Sequence, residues 1–177
     1  TYTVAADGTV TFVPEKSFVG TAPAVTVVRE DKNGTKASAT YTPTVLPVTP
    51  EATSAETKDI QGATQTGKPE FKGGTVTVDG VEKTVAINED VPATFDDGST
   101  TKNVDGVGTY TVAADGTVTF VPEKSFVGTA PAVTVVREDK NGTKASATYT
   151  PTVTPVTPTA TPVETTDIQG ATQTGKP

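Results

Sequence analysis

The feature that most constrains this chain is an internal repeat. Residues 1–69 recur as residues 109–177, a period of 108 residues, and only five of the 69 aligned positions differ. All five lie between residues 46 and 58, and they are Leu46/Thr154, Glu51/Thr159, Ser54/Pro162, Ala55/Val163 and Lys58/Thr166. A repeat of this length indicates tandem structural units, which extend a protein by copying one module.

The stretch that holds the differences is also unusual in composition. Residues 46–58 and 154–166 are rich in proline and threonine and lack alternating apolar residues. This composition is typical of extended linkers, in which residues change without opening a cavity in a core. We therefore predict linkers there, a complete unit at 59–153, the C-terminal half of an earlier unit at 1–45 and the first strand of a later unit at 167–177. The alternative is a recent duplication with few changes of any kind.

The complete unit reads as strands throughout. The chain has 39 Thr and 26 Val but one Leu and no Met, and no segment shows a helical period. Asp79-Gly80 separates two alternating runs, which predicts a hairpin turn. Two further hairpins are predicted, in which Tyr110 and Val112 face Val118 and Phe120, and Val133 and Val135 face Ala145, Ala147 and Tyr149 across Asn141-Gly142. Seven or eight short strands indicate an all-β fold of the sandwich type.

One aromatic residue stands apart from these strands. Phe126 lies in a connection punctuated by proline and glycine, Pro122 to Pro131. We predict that its ring closes one end of the sandwich. The alternative is an aromatic side chain that stacks on a ligand.

Several motifs resemble known repeats. The patterns D-G-T-V-T-F-x-P at 115–122, F-x-G at 126–128 and D-x-N-G at 139–142 resemble the Ig-like and cadherin-like repeats of bacterial surface proteins. The opening DIQGATQTGKP at 59–69 and the closing ATYTPTV at 147–153 are similar to the CshA-type fibril repeat of streptococcal adhesins.

This resemblance implies a function and a location. It implies tandem β-sandwich repeats that form a fibril and project a separate adhesive region, which binds host fibronectin and other bacteria. It also implies an extracellular protein anchored to the cell wall of a Gram-positive bacterium. We expect the adhesive region and the anchor to lie outside this chain, whose own partners are then the neighbouring identical repeats.

The chain contains few of the residue types that support catalysis or metal binding. The chain has no His and no Cys, which excludes Ser-His-Asp triads, Cys-His pairs and zinc sites built from these ligands. The paired carboxylates Glu89-Asp90, Asp96-Asp97 and Glu138-Asp139 stand beside turn residues, and we predict no enzyme activity and no cofactor. Because cadherin-like modules bind calcium, Asp96, Asp97 and Asp139 are the candidate metal ligands. Against calcium, the sequence has no D-x-D-x-D spacing, and solvated turns explain the same residues.

The sequence also indicates whether the residues needed for a covalent crosslink within the unit are present. Lys68, Lys72 and Lys83 could begin an isopeptide bond, but the predicted last strand, SATYTPTV, has neither Asn nor Asp to complete it. A Thr-Gln ester crosslink to that strand is excluded because the strand contains no Gln. We therefore predict a unit without covalent staples, which unfolds reversibly.

The charge and hydropathy of the chain limit its partners. Twenty-one acidic and 14 basic residues give a net charge of -7, which argues against binding to nucleic acid. No apolar run is long enough to span a bilayer. The leading hypothesis is a structural stalk. The alternatives are repeats that each bind a ligand weakly and act by avidity, or a spacer in a large secreted enzyme.

Overall fold

The computed structural model describes all 177 residues and contains strands but no helix. No segment therefore forms a helix that could cross a membrane. Residues 1–45 form β1 (Tyr2–Val4), β2 (Val10–Phe12), β3 (Gly20–Thr21), β4 (Val25–Glu30), β5 (Lys36–Tyr41) and β6 (Thr44–Val45). The strands that follow are β7 (Glu51–Thr53), β8 (Ala55–Ile60), β9 (Gln65–Gly67), β10 (Glu70–Lys72), β11 (Gly74–Val78), β12 (Val81–Val85), β13 (Thr94–Phe95), β14 (Thr101–Val104), β15 (Gly108–Val112), β16 (Val118–Pro122), β17 (Gly128–Thr129), β18 (Val133–Glu138) and β19 (Lys144–Thr154).

The complete unit is a sandwich of two sheets. One sheet has the order β13-β18-β19-β17, with β8 also paired to β19, and the other has the order β14-β15-β16-β9. Inward-facing residues of both sheets meet in one core of eleven buried residues, which are Ala93, Phe95, Tyr110, Val112, Val118, Phe120, Ala130, Val133, Val135, Tyr149 and Val153. Along β15, β16 and β18 every second residue is buried, and this alternation brings two residues of each strand into the core. The all-β prediction is confirmed.

The predicted hairpins form with the predicted registers. Asp79 and Gly80 both have positive φ, 52° and 78°, and join β11 to β12 in a two-residue turn. Tyr110 pairs with Phe120, and Val135 pairs with Ala147. Phe126 packs against the core, with its ring edge-on to that of Phe120 at 6.5 Å between centroids. This arrangement confirms its predicted place in the sandwich.

The linker predicted at 46–58 is wrong. β7 pairs with β10, and β8 pairs with β19, so most of this stretch belongs to the complete unit. The inward-facing residues of β8 are Ala55 and Thr57, which are small or polar, and the strand therefore carries no apolar alternation. Its counterpart, residues 154–166, has only Thr154 in a strand and is exposed from residue 155 onward.

Residues 1–45 form the same hairpins without the rest of the sandwich. Tyr2 pairs with Phe12 as Tyr110 pairs with Phe120, and the ring centroids lie 4.7 Å and 4.6 Å apart. The Tyr2 hydroxyl donates to the Pro23 carbonyl at 2.6 Å, as that of Tyr110 donates to Pro131 at 2.8 Å. The local structure is thus set within each half-unit. The two halves differ in burial.

Candidate functional site: the junction of the first and last strands

The complete unit is closed by parallel pairing of an N-terminal strand with its last strand. β8 runs beside the C-terminal half of β19, in register from Ala55 opposite Tyr149 to Ile60 opposite Thr154. The other strand pairs are antiparallel. Because parallel strands point the same way, the chain begins this ladder at one end and leaves it at the other, roughly 20 Å away. We call β8, β9 and Tyr149–Thr154 the terminal junction.

A buried chain of polar side chains holds the junction together. The Thr57 hydroxyl donates to Gln65 Oε1 at 2.6 Å and lies 2.7 Å from the Tyr149 hydroxyl. Because Thr57 has one hydroxyl proton, Tyr149 is the donor in the second contact. Gln65 Nε2 then donates to the Thr152 carbonyl at 2.9 Å. This series of bonds starts and ends on β19 and passes through β8 and β9.

The Tyr149 ring also requires a glycine beneath it. A Cβ atom added at Gly67 would lie 2.2 Å from Tyr149 Cε2, so any side chain there displaces the ring. The ring itself is fully buried. Burial raises the pKa of the Tyr149 hydroxyl, and the hydrogen bond with Thr57 opposes this shift. The phenol is therefore held neutral and able to donate.

Four further hydrogen bonds, two at each end, fasten the parallel ladder. At one end Ser54 Oγ accepts hydrogen bonds from the Thr148 amide at 3.1 Å and the Thr148 hydroxyl at 2.9 Å. At the other end the Gln61 amide donates to the Thr154 carbonyl at 2.8 Å, and the Thr154 hydroxyl donates to the Asp59 carbonyl at 2.9 Å. Both ends of β8 are thus tied to β19.

Residues 1–45 show what the same sequence does without this junction. Tyr41, the counterpart of Tyr149, is 39% exposed, whereas Tyr149 is 0% exposed. The last strand, continuous over 11 residues in β19, is broken into β5 and β6. In the complete unit, β8 and β9 lie against the tyrosine, and β8 pairs with the part of β19 whose counterpart is broken in residues 1–45.

The predicted calcium ligands lie in two separate environments. Asp96 and Asp97 are exposed, and both form ion pairs with Lys102. The hydrogen bond from Lys102 lowers the pKa of Asp96, and that from Ser99 lowers the pKa of Asp97. Asp139 is fully buried, and its Oδ1 accepts the amides of Asn141 and Thr143 at 2.8 Å and 2.9 Å. Asp96 thus pairs with a lysine on β14, Asp97 and Asp139 accept bonds within their own turns, and no three acidic residues come together as metal ligands.

Two other residues named among the candidate carboxylates and lysines, Glu89 and Lys68, form ion pairs. Glu89 accepts a hydrogen bond from Arg137 Nη2 at 2.8 Å, which links the segment before β13 to β18. Asp139 Oδ2 and Arg137 Nε are buried without a partner. Lys68 pairs with Asp115 at 2.8 Å on the surface, where this ion pair and the bonds from Thr117 lower the pKa of Asp115.

Sequence reasoning missed the residues of the terminal junction. Thr57 lies in the stretch interpreted as a linker, and Gln65 and Gly67 lie in a polar run with no apolar alternation. The cluster depends on a hydroxyl, an amide and a missing side chain, none of which contributes to a hydrophobic pattern. The one signal in the sequence was Tyr149, predicted to face the core.

Comparison with known proteins identifies the family. Residues 1–45 and 47–153 match the family described as the surface adhesin CshA repetitive domain. The chain belongs to this family. The match for the complete CshA repeat begins at residue 47, which agrees with the placement of β7 and β8 inside the unit.

Among solved structures, the chain is similar to repeat domain 13 of the fibrillar adhesin CshA from Streptococcus gordonii, determined by NMR. The two are 58% identical over 38% of this chain and 86% of that chain, with a TM-score of 0.23. No curated protein matches the chain. The chain is thus a repeat of a surface adhesin, with an all-β fold.

Proposed function

We propose that the complete CshA repeat is a non-enzymatic stalk module of an extracellular fibril, and that it carries tension between a cell-wall anchor and a separate adhesive region. The observation that carries the proposal is the parallel ladder of the terminal junction. The family match supports its place in a surface adhesin.

The direction of the ladder determines how it responds to force. Tension pulls Ala55 toward the preceding residues and Thr154 toward the following residues, which are opposite directions along parallel strands. The two strands must then slide past each other, so that all six register pairs are loaded together. In an antiparallel hairpin pulled from its open end, the pairs separate one after another. A parallel junction of the first and last strands therefore suits a module under tension.

The polar chain strengthens this junction against sliding. Thr57 contacts both Tyr149 and Gln65, and Gln65 bonds to Thr152, so a shift of β8 along β19 breaks several buried bonds at once. Buried hydrogen bonds are costly to leave unmade. The net charge of -7 further supports an extended array, because like-charged neighbouring units repel each other.

Single-molecule force spectroscopy on the full chain, held at its two termini, tests the proposal. We expect one main unfolding event that releases about 100 residues, or roughly 330–360 Å of extended chain. In a second geometry, handles on cysteines introduced at Val136 and Ser146, which lie opposite each other in an antiparallel pair, should unfold the unit at lower force. Equal forces in the two geometries would contradict a role in carrying tension.

A further inference from the structure

The turn between β18 and β19 contains an Asn-Gly pair, a dipeptide that is prone to deamidation. Residues 139–143 join the two strands, and Asn141 and Gly142 lie exposed within them. Glycine has no side chain to hinder attack by its own amide nitrogen on the preceding asparagine, so the pair reacts readily in a flexible peptide. The other two asparagines of the complete unit, Asn88 and Asn103, precede larger residues. Asn141 is therefore the asparagine of this unit with the highest intrinsic reactivity.

Deamidation of such a pair runs through a cyclic imide. The Gly142 nitrogen attacks Asn141 Cγ and closes a ring, and the side-chain nitrogen leaves as ammonia, which carries away the proton of the Gly142 amide. Water then opens the ring at either carbonyl and leaves aspartate or isoaspartate. Either product adds a negative charge close to Glu138 and Asp139, and isoaspartate also inserts one more carbon atom into the main chain.

The folded turn holds the Gly142 nitrogen away from this reaction. The Gly142 amide donates to the Asp139 carbonyl at 2.9 Å, and Gly142 has φ of 83°. Lys140 and Asn141 have negative φ, because Asp79 is the one non-glycine residue with positive φ. This is the pattern of a type I turn, whose third residue, here Asn141, has ψ near 0°. Ring closure requires the Gly142 nitrogen to eclipse Asn141 Cβ, a rotation of roughly 120° that breaks the bond to Asp139.

Asp139 fixes this turn through a carboxylate that is itself fully buried. Its Oδ1 accepts the amides of Asn141 and Thr143 at 2.8 Å and 2.9 Å, and its own amide donates to the Thr143 carbonyl at 2.9 Å. Rotation at Asn141 carries Gly142 and Thr143 away from Asp139, so the bonds with both residues break. Hydrogen bonds to a buried carboxylate are among the more costly to lose.

The main chain before the turn is held from the other side. The Asn88 amide donates to the Glu138 carbonyl at 2.9 Å, and the Lys140 amide donates to the Ala86 carbonyl at 3.0 Å. Both neighbours of Asp139 are thus bonded to the segment that follows β12. The rotation that ring closure requires must therefore displace the start of β19 instead.

We propose that Asn141 is a deamidation site that the folded unit keeps closed, and that Asp139 is the positioning residue that closes it. Deamidation then proceeds only from the small fraction of molecules in which the turn is open, so its rate equals the rate in an unfolded chain multiplied by that fraction. Residues 31–35 and 139–143 are identical, so the same aspartate accompanies the same Asn-Gly pair one period apart. This role of Asp139 does not depend on whether the unit carries tension.

Deamidation rates of the full chain, folded and in urea, test the proposal. After incubation in mildly alkaline buffer, cleavage after glutamate yields residues 31–51 and 139–164 as separate peptides with one asparagine each, and mass spectrometry measures the deamidated fraction. We expect Asn141 to deamidate at least about tenfold more slowly in the folded chain than in urea. Asp139→Ala should bring the rate in the folded chain close to the rate in urea, with circular dichroism verifying that the variant keeps its sheets.

Asp97→Ala is the matched control for loss of a turn aspartate. Asp97 also accepts a backbone amide within its own turn, that of Ser99 at 2.9 Å, but it lies outside the turn between β18 and β19. This variant should leave the deamidation rate of Asn141 unchanged.

Hydrogen exchange of the Gly142 amide, followed by NMR, supplies a second measurement that needs no variant. Its protection reports the open fraction of the turn and should match the slowing of deamidation within about tenfold. If Asp139→Ala does not fold, this comparison decides the question. Four results would overturn the proposal: equal rates for Asn141 in the folded chain and in urea, a folded Asp139→Ala variant with the unmodified rate, an equal acceleration by Asp97→Ala, or a protected Gly142 amide without slowed deamidation.

Discussion

Replacing Thr57 with valine isolates the contribution of the polar chain to stability. Valine has nearly the same shape as threonine but has no hydroxyl, so Thr57→Val leaves two buried partners without their bond. Tyr149 is 0% exposed and Gln65 is 3% exposed, so water does not replace the hydroxyl. Two hydrogen bonds at about 1 kcal/mol each, together with the cost of unsatisfied buried groups, give a loss of roughly 2–4 kcal/mol. That is a large share of the roughly 5–15 kcal/mol that stabilises a typical domain.

Urea unfolding of the full chain measures this loss, and the repeat supplies its own control. Thr165 is the counterpart of Thr57 in the exposed residues 155–177, so Thr165→Val should leave the unfolding transition unchanged. Tyr149→Phe should cost less in the Thr57→Val background than in the unmodified chain, because the phenol has already lost its partner. A loss below about 0.5 kcal/mol for Thr57→Val, within the range of ordinary surface substitutions, would refute the reasoning.

Three further outcomes are expected. Phe126→Ala should destabilise the complete unit by about 1.5–3 kcal/mol in urea unfolding, whereas Phe18→Ala, its counterpart in the half-unit, should leave that transition unchanged. Burial raises the pKa of Tyr110 to about 12. The stability that its neutral form contributes should therefore be complete below about pH 10 and lost as the pH rises toward 12, in a titration that follows phenolate absorbance and circular dichroism together. Formation of the Tyr110 phenolate near pH 10 in the folded unit would contradict this. Millimolar calcium should not shift the thermal midpoint, since Asp96 and Asp97 already pair with Lys102, and a clear upward shift would restore the calcium hypothesis.

The sequence predicts the antiparallel part of the fold well because its signals are local. The Asp79-Gly80 turn and the Tyr110–Phe120 register follow from turn chemistry and from the two-residue alternation of strands. Residues 1–45 agree with this local origin, because they have the same hairpins without the remaining strands of the sandwich.

The terminal junction escapes prediction because its partners are distant and its inward side chains are not apolar. Thr57 and Tyr149 are 92 residues apart in the chain, and no local pattern pairs them. A proline- and threonine-rich segment also suggests a linker whenever its hydrogen-bonding partners are unknown. For the calcium candidates, in contrast, local contacts explain the residues. Asp97 and Asp139 accept hydrogen bonds from backbone amides within their own turns, which is a common role for aspartate at such positions.

Three of the five sequence differences lie in strands of the complete unit, because β7 and β8 belong to it. Glu51, Ala55 and Lys58 lie in β7 and β8, whereas the hairpins of residues 1–45 and 109–153 are identical in sequence. Ala55 packs against the core, so the valine at position 163 brings two more methyl groups into the same place in its own unit. A larger side chain there either fills space or strains the packing. Neighbouring repeats with identical hairpins therefore differ in the strand that closes them, and we expect differences in their stability to arise from that strand.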